Sequence, residues 1–342
     1  MHVSATLLHR VCPPSTGQSP INLGYAGDNL TLRRTHRIFT SRSCHKGTFE
    51  REGLDHVSGL ALKNCRDLLP LLQWNHAHDI HFFRISSQIF PWAGQYELEE
   101  LPDFEDIVAA LSAAGKYARS VDQRLTAHPP HFIKLASTDE AIRKRSVADI
   151  EVQSRVFDLM GYEKASHWNK INIHVGGAYG SKTRTLHRFS ETFEGLKDST
   201  RARLTVENDD RPKGYSVADL MILHSLTRIP ITFDFFHHQF CPGAMTQKEA
   251  FEAALSTWPT DVRPVVHWSE APECPQKRRL HPYGHSSFVY GPIELFGRDR
   301  EVDVMLESKA KEAALLLYRD EISLRYTTAP LEAVEEECLC EG

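Results

Sequence analysis

The chain has 342 residues, of which 41% are hydrophobic and 25% charged, and its formal net charge is -5. This composition supplies enough apolar material for a globular core and excludes a disordered, collagen-like or coiled-coil protein. No uncharged apolar run approaches the roughly 18 to 20 residues of a membrane-spanning helix. The mild acidity restricts any nucleic-acid surface to a local patch, and the 19 histidines are the one unusual count.

The cysteines and the chain ends indicate an intracellular protein with one main domain. The seven cysteines are scattered and contain no C-x-x-C pair, so neither a disulfide framework nor a cysteine zinc site is indicated. The first 20 residues make a poor secretory signal, because charge and two prolines interrupt the only short apolar stretch. We predict an N-terminal extension over 1–20, a single domain over 21–327 and an acidic tail over 328–342.

Short β-rich runs alternate with longer segments of helical periodicity along the chain. The predicted strands are 21–25, 80–85, 124–128, 170–175, 203–207, 229–235, 264–267 and 302–307. After an Arg- and His-rich loop, helices are predicted at 56–74, 104–119, 146–160, 182–193, 217–226, 247–257 and 308–318. Eight βα units predict an α/β protein with a closed (β/α)8 barrel, the TIM-barrel fold. A doubly wound open sheet is the alternative, but residues 24–28 do not match its G-x-G-x-x-G turn.

Several predicted strands end in side chains that can bind a metal. In chain order these residues are His128, His174, Glu207, Asp234, His237, His267 and Glu307. A single histidine of this kind is more often a packed or capping residue, but the carboxyl ends of barrel strands converge on one face, where active sites lie. Mixed imidazole and carboxylate ligands suit Mn²⁺, Zn²⁺ or Fe²⁺. The series predicts a cluster of two or three metals, bridged by Glu207, of the kind that hydrolyses phosphodiesters.

The segments that carry these residues resemble the ultraviolet damage endonuclease family. They are 22–26 with Asn29, 84–87, 125–129, 169–177, 204–210, 233–238 and 303–309, and the matches run in order from about residue 21 to 319. The most specific are N-K-I-N-I-H-V-G-G at 169–177 and E-N-D-D at 207–210. The resemblance implies a barrel of the xylose isomerase-like and apurinic endonuclease-like superfamily. It implies an enzyme that nicks DNA 5′ to cyclobutane pyrimidine dimers and 6-4 photoproducts and leaves a 3′-hydroxyl.

The same resemblance implies roles for the strand-end residues. It adds one ligand after the seventh strand, for which His285 fits best and His281 is the alternative. Two or three Mn²⁺ ions are the expected cofactor, with Zn²⁺ or Mg²⁺ as alternatives. The residues expected to act directly in catalysis are Glu207, Asp234, His267 and Glu307. His237 and His285 would hold a further metal against the phosphate or the leaving oxygen.

Five residues are expected to contact DNA. Tyr25 and Asn29 match family positions that contact the damaged strand, although ordinary turn chemistry would also explain them. His131 and Phe132 stand where the family has a glutamine and an aromatic residue that fill the gap left by two extruded bases. Gln95 replaces a common Ser-His pair and can hydrogen-bond to a phosphate or a base. A basic loop is a candidate phosphate track and comprises Arg33, Arg34, Arg37, Arg42 and Lys46.

Two other functions stay open, one of them because of the departures from the family at Val265 and Gln95. Val265 stands where a lysine, carboxylated in some members, is often found, and valine cannot be carboxylated. A metal-dependent sugar isomerase would share the barrel and ligands but would need a small closed pocket. A non-catalytic lesion-binding protein would retain damaged DNA without cutting it. Under the favoured interpretation the partner is damaged double-stranded DNA. No membrane is involved, and the protein is a monomer in the cytoplasm, or in the nucleus of a eukaryote.

Overall fold

The computed structural model describes residues 21–130, 132–272, 274, 279, 281–297 and 300–322. Its strands are β1 (Ile21–Ala26), β2 (Phe82–Arg84), β3 (Arg124–Thr126), β4 (Ile171–Ile173), β5 (Leu204–Glu207), β6 (Ile231–Asp234), β7 (Val265–Trp268) and β8 (Val302–Leu306). The longer helices are α1 (Leu30–His36), α2 (Lys46–Ala77), α3 (Phe104–Ser120), α4 (Glu140–Leu159) and α5 (Lys182–Glu194) in the first part of the chain. They are followed by α6 (Asp198–Arg201), α7 (Val217–Thr227), α8 (Phe235–Phe240), α9 (Gln247–Ser256) and α10 (Glu312–Leu317).

The strands form one parallel series with the order β3-β2-β1-β8-β7-β6-β5-β4. A parallel bridge between Ala127 and Ile171 joins the two outer strands, so the series closes on itself. The predicted (β/α)8 barrel is therefore confirmed. The strand sequences are short apolar runs, because helices cover the outer face of the sheet and side chains fill the inside of the barrel. Among the described residues, no helix is both long enough and apolar enough to cross a membrane.

Capping side chains determine where the loops at the carboxyl face end and the helices begin. The Asp139 carboxylate accepts hydrogen bonds from the first turn of α4, and the Ser181 hydroxyl does the same for α5. Ser216 and Thr246 begin α7 and α9 with reciprocal capping boxes. These polar groups pair with backbone N–H groups that have no partner within the helix. The βα loops consequently have defined ends, which limits how far their side chains can move.

The helix boundaries differ from the prediction where packing rather than periodicity decides them. The basic segment that was predicted as a loop contains α1. Helix α2 begins ten residues before its predicted start at residue 56 and has a kink at Gly53 (φ 64°). Both oxygens of Glu312 accept hydrogen bonds from the backbone of the first turn of α1, from Leu30 N at 2.9 Å and Thr31 N at 2.7 Å. That support comes from 281 residues along the chain, so local sequence could not reveal it.

Two further differences have local causes. α4 begins six residues before the predicted start. The sequence did not reveal this part of the helix, because its first turns are mostly polar and exposed and lack apolar periodicity. The short helix α8 directly follows β6 and was not predicted, since its sequence is as apolar as the strand before it. The predicted extension over 1–20 and tail over 328–342 lie outside the described residues, and both stay predictions.

Candidate metal centre

Glu207, the last residue of β5, lies at the centre of the predicted ligand series and is only 1% exposed. Its Oε1 lies 3.1 Å from His267 Nδ1 and 3.2 Å from His237 Nδ1. Its Oε2 lies 3.3 Å from His128 Nε2 and 3.8 Å from His174 Nε2. Histidines from four different strand ends therefore face the two oxygens of one carboxylate. This is the arrangement expected of a carboxylate that bridges two cations.

Two more carboxylates complete the inner side of this cluster. Asp234 Oδ2 lies 3.9 Å from His267 Nδ1. Glu307 Oε1 lies 3.2 Å from the same histidine nitrogen, and Glu307 Oε2 lies 3.7 Å from His285 Nε2. His281 is exposed, whereas His285 reaches the cluster, so His285 is the better candidate for the ligand after β7. All eight predicted ligands thus meet at the carboxyl end of the barrel.

Outer partners hold three of the histidines with Nε2 directed inward. His174 Nδ1 lies 2.8 Å from Asp209 Oδ1, and His285 Nδ1 lies 2.7 Å from Ser269 Oγ. His128 Nδ1 lies 3.0 Å from the carbonyl oxygen of the following proline. An acceptor at Nδ1 places the proton there and leaves the Nε2 lone pair free to bind a metal.

Four supporting side chains were absent from the sequence-based list. Arg84 at the end of β2 forms an ion pair with Glu307, and Asn172 on β4 donates a hydrogen bond to Glu207. The other two are Asp209 and Ser269, which orient histidines. Asn172 lies two residues before His174 and therefore on the same face of β4, and that alternation could have identified it. The pairing of Arg84 with Glu307 spans 223 residues and had no local signal.

The charges in the cluster shift one another's pKa values in opposite directions. Burial opposes ionisation of Glu207, but His267 and His174 outweigh it and hold the pKa of Glu207 well below its usual range. Burial raises the pKa of Asp234 to about 7 and lowers the pKa of His267 to about 4. For His174 burial is outweighed by the carboxylates of Glu207 and Asp209, which raise its pKa to about 9. Such a spread of pKa values within a few ångströms is typical of a functional site.

The side chains present fit a cluster of divalent cations. Asp234 Oδ2 and His267 Nε2 are buried and make no hydrogen bond to any residue that the structure describes. Polar atoms buried without a partner are costly, and a bound cation would supply one. Two ligand groups have atoms within 4.8 Å of one another: His128, His174 and Glu207 in one, and Glu207, Asp234 and His267 in the other. The donor set of imidazole nitrogen and carboxylate oxygen suits Mn²⁺, Zn²⁺ or Fe²⁺.

Tyr25 and Asn29 are placed differently from the prediction. Both side chains are 0% exposed. Tyr25 OH donates to Asn75 Oδ1 at 2.6 Å, and Asn29 Nδ2 donates to Tyr25 OH at 3.1 Å. Asn29 also caps α1 by accepting a hydrogen bond from Leu32 N at 2.8 Å. In this conformation both side chains support the start of α1, and their contact with the damaged strand stays a prediction.

Two of the other predicted DNA-contacting residues lie apart from the eight candidate metal ligands. Gln95 and Phe132 both line a groove of about 810 Å³ that the loops after β2 and β3 border. Phe132 is 58% exposed, so its ring is available to a large ligand. His131 lies outside the described residues, and its role as a lesion probe stays a prediction.

The predicted phosphate track is smaller than expected. Arg42 lies over the Phe39 ring at 3.8 Å and pairs with Asp67 at 2.7 Å, so its charge is used within the fold. Arg33 pairs with Asp28 at 2.9 Å, and Lys46 lies 3.4 Å from the carboxylate one helical turn further on. Arg34 and Arg37 are exposed and form no ion pair with a residue in the described part of the chain.

Comparison with known sequences identifies the family of the chain. A family model described as UV-endonuclease UvdE matches residues 21–333. The chain is 32% identical to the UV-damage endonuclease of Schizosaccharomyces pombe over 327 residues, which cover 92% of this chain and 53% of that protein. It thus spans about half the length of that relative. The UV DNA damage endonuclease of Bacillus thuringiensis is 31% identical, with 80% of this chain and 84% of that protein covered.

Solved structures agree with the barrel. The crystal structure of SacUVDE superimposes with a TM-score of 0.72 at 27% identity and covers 89% of this chain and 100% of that one. A xylose isomerase domain protein from Planctomyces limnophilus has a TM-score of 0.50 at 12% identity over 75% of this chain and 93% of that one. The latter likeness concerns the fold alone. With a family model that matches from the first strand onward, the chain belongs to the UV-endonuclease UvdE family.

Proposed function

We propose that the protein is a metal-dependent DNA repair endonuclease that nicks damaged double-stranded DNA. The cut would lie 5′ to cyclobutane pyrimidine dimers and 6-4 photoproducts and leave a 3′-hydroxyl, which starts excision repair. The observation that carries the proposal is the bridging position of Glu207, with histidines on both of its oxygens at the carboxyl face of the barrel. Membership of the UV-endonuclease family supports the substrate class.

The residues that would hold two or three Mn²⁺ ions are the eight of the cluster: His128, His174, Glu207, Asp234, His237, His267, His285 and Glu307. When bound, the ions would activate a water and stabilise negative charge on the leaving oxygen. Arg84 keeps Glu307 in place through their ion pair, and Asp209 keeps His174 directed inward. Asp234 also accepts a hydrogen bond from His237 N at 2.7 Å, which connects the end of β6 to the start of α8.

The valine at position 265 leaves all eight candidate metal ligands in place. Its side chain is buried among apolar neighbours of the barrel interior, namely Ala26, Phe82, Trp258, Val262 and Met305. The chain would therefore bind its metals without a carboxylated lysine at this position. A sugar isomerase fits less well, because the neighbouring groove is large and presents the exposed ring of Phe132, as a polymeric ligand requires.

A nicking assay tests the proposal. A duplex with one defined photoproduct is incubated with the protein and Mn²⁺, Mg²⁺ or a chelator, and the cut position is mapped. We expect Mn²⁺-dependent nicking 5′ to the lesion and a loss of at least about a hundredfold for Glu207→Gln, because two cations lose their shared ligand. Glu163→Gln, an exposed change on the loop after α4, serves as the control and should cut normally.

Binding of the same duplex separates the alternatives. Retention of damaged DNA without any nicking in Mn²⁺ would identify a lesion-binding protein. Equal binding of damaged and undamaged duplexes, with no nicking, would favour the sugar isomerase.

A further inference from the structure

Lys311 lies at the start of α10, four residues after the candidate ligand Glu307, and the proposed hydrolysis gives it no role. Its backbone has φ 52° and ψ -124°. Residues with a side chain rarely adopt this conformation, because the Cβ crowds the backbone, and glycine is the residue that tolerates it. Strain that is retained in this way is commonly found at binding and catalytic sites. The position of this lysine therefore needs an explanation.

Backbone hydrogen bonds fix the turn that leads to Lys311. Lys309 N donates to Ser286 O at 3.0 Å. Ala310 N donates to Ser287 O at 3.0 Å. The two serines directly follow the candidate metal ligand of the loop after β7. The turn is thus fastened to the loop of one candidate ligand and follows another along the chain.

The side chain of Lys311 is half-buried among charged groups. The groups that face it are Arg84, Glu307, Asp28 and Glu312. Burial lowers the pKa of Lys311, and the charge of Arg84 acts in the same direction. The ammonium forms no ion pair and no hydrogen bond with any residue that the structure describes. Its surroundings therefore oppose its positive charge.

The three carboxylates near Lys311 already have other partners. Asp28 pairs at 2.9 Å with an arginine of α1. Glu312 uses both of its oxygens on the backbone of α1. Glu307 forms an ion pair with Arg84 and belongs to the candidate metal cluster. A half-buried ammonium whose neighbouring anions are used elsewhere would be stabilised by an anion from outside the protein.

We propose that Lys311 binds a phosphate of the damaged strand that is next to the scissile phosphate. The inference rests on the proposed function. The ions would hold the scissile phosphate itself, so an anion that reaches Lys311 beside Glu307 belongs to the adjoining part of the same strand. A lysine ammonium is a compact charge with three hydrogen-bond donors, which suits a phosphate oxygen. Such contacts fix the position of a strand without reading its sequence.

The backbone conformation supports a functional role for the side chain. Glycine at position 311 would relieve the strain, but it would remove the ammonium. A lysine that is kept there at the expense of stability is expected where the side chain serves binding. The inference thus predicts that stability and DNA binding respond differently to the same substitution.

Single-turnover nicking measures the contribution of Lys311. A duplex with one defined dimer is cut in Mn²⁺ at a series of protein concentrations, which gives a half-saturating concentration and a maximal rate. Lys311→Met should raise the half-saturating concentration about tenfold, as expected for one charge-assisted hydrogen bond, and change the maximal rate by less than about twofold. The slope of log affinity against log salt concentration should decrease by about one. Lys116→Met, an exposed change of the same kind on α3, should match the wild type.

Lys311→Gly separates a binding role from a structural one. Its midpoint of urea unfolding should equal or exceed that of the wild type, because the strain is relieved. Its half-saturating concentration should nevertheless rise as much as that of Lys311→Met. If both variants unfold at lower urea concentration and keep the salt dependence of the wild type, Lys311 has a structural role and the inference is overturned.

Two modified duplexes identify the phosphate. In each, an uncharged methylphosphonate replaces one of the two phosphates that flank the scissile one. With one of these duplexes the wild type and Lys311→Met should have the same half-saturating concentration, because the partner charge is gone. A tenfold difference that persists with both duplexes overturns the inference. Failure of the wild type to nick the unmodified dimer-containing duplex would instead refute the proposed function.

Discussion

Individual side chains around the metal ligands have assignable roles. Asp209 holds His174 through a 2.8 Å contact to Nδ1, and Ser269 does the same for His285 at 2.7 Å. Neither residue is a ligand in the proposed cluster, yet each determines which ring nitrogen faces the metal position. The orientation of a histidine, and not only its presence, is therefore part of the site.

Asp209→Asn should weaken manganese binding while the fold stays intact. An amide can still accept one hydrogen bond, but it loses the negative charge that favours the ligand orientation of His174. We expect roughly a 10- to 100-fold loss in affinity, as is usual for such outer partners. Calorimetric titration of the metal-free protein with Mn²⁺ measures it. Asp210→Asn, at the next position, is the matched control, and equal losses for both variants would contradict the assigned role.

The buried carboxyl of Asp149 should make stability depend on pH. Its folded pKa of about 7 lies above the unfolded value, so the folded protein holds an extra proton between about pH 4 and 7. The neutral carboxyl is tolerated at low pH, and stability is lost as the pH rises through 7. We expect Asp149→Asn to raise the free energy of unfolding by about 2 to 4 kcal/mol at pH 8 and by little at pH 4. Urea unfolding at both pH values checks this, and a gain independent of pH would argue against it.

Loops and helices owe several of their positions to contacts that are distant in sequence. The start of α1 is held by the carboxylate of Glu312 from the far end of the chain. The loop that carries Trp92 and Gln95 is held against α4 by the direct backbone approach at Gly94. The carboxyl face is formed by the loops that follow the strands. Contacts that hold these loops therefore determine its shape.

Gly94→Ala should be more destabilising than Gly180→Ala. Both glycines have positive φ, 81° and 84°, so each substitution costs about 1 kcal/mol of backbone strain. Only Gly94 approaches another backbone, because a Cβ at Gly180 would have no described atom within 4 Å. Chemical denaturation of the two variants should show an additional loss for Gly94→Ala alone. Equal losses would mean that the loop moves away from α4 without cost.

For the whole molecule, metal binding and folding should be coupled. The cluster places several carboxylates and histidines from six strand ends in a small buried volume, and their mutual charges are balanced only in part without cations. A ligand that binds only the folded state stabilises it by mass action, so Mn²⁺ at 100 times its dissociation constant adds about 2.7 kcal/mol.

Thermal unfolding in Mn²⁺ and in chelator should therefore differ by roughly 5 to 11 °C, because about 1 kcal/mol shifts the midpoint by 2 to 4 °C in larger domains. Glu207→Gln should lose most of that increase, whereas Glu163→Gln should retain it. If Mn²⁺ raised the unfolding midpoint equally in both variants, the ions would bind at another site.

The barrel and the series of candidate ligands could both be predicted from local sequence. Each strand is local, its apolar run is visible, and the residue that ends it follows directly, so His128, His174, Glu207 and Glu307 could be located without coordinates. The closed parallel sheet then brings all such ends to one face, which is a property of the fold class rather than of any particular contact.

The side chains around the candidate ligands could not be predicted from local sequence, because their positions depend on packing between distant segments. Tyr25 near the end of β1 and Asn29 just after it are both buried, with Tyr25 hydrogen-bonded to Asn75 and Asn29 hydrogen-bonded to Tyr25. Arg84 joins Glu307 across 223 residues, and the buried Oδ1 of Asp149 makes no hydrogen bond to any described residue. Burial and hydrogen bonding between distant segments depend on how helices and loops pack. A local sequence pattern does not predict that packing.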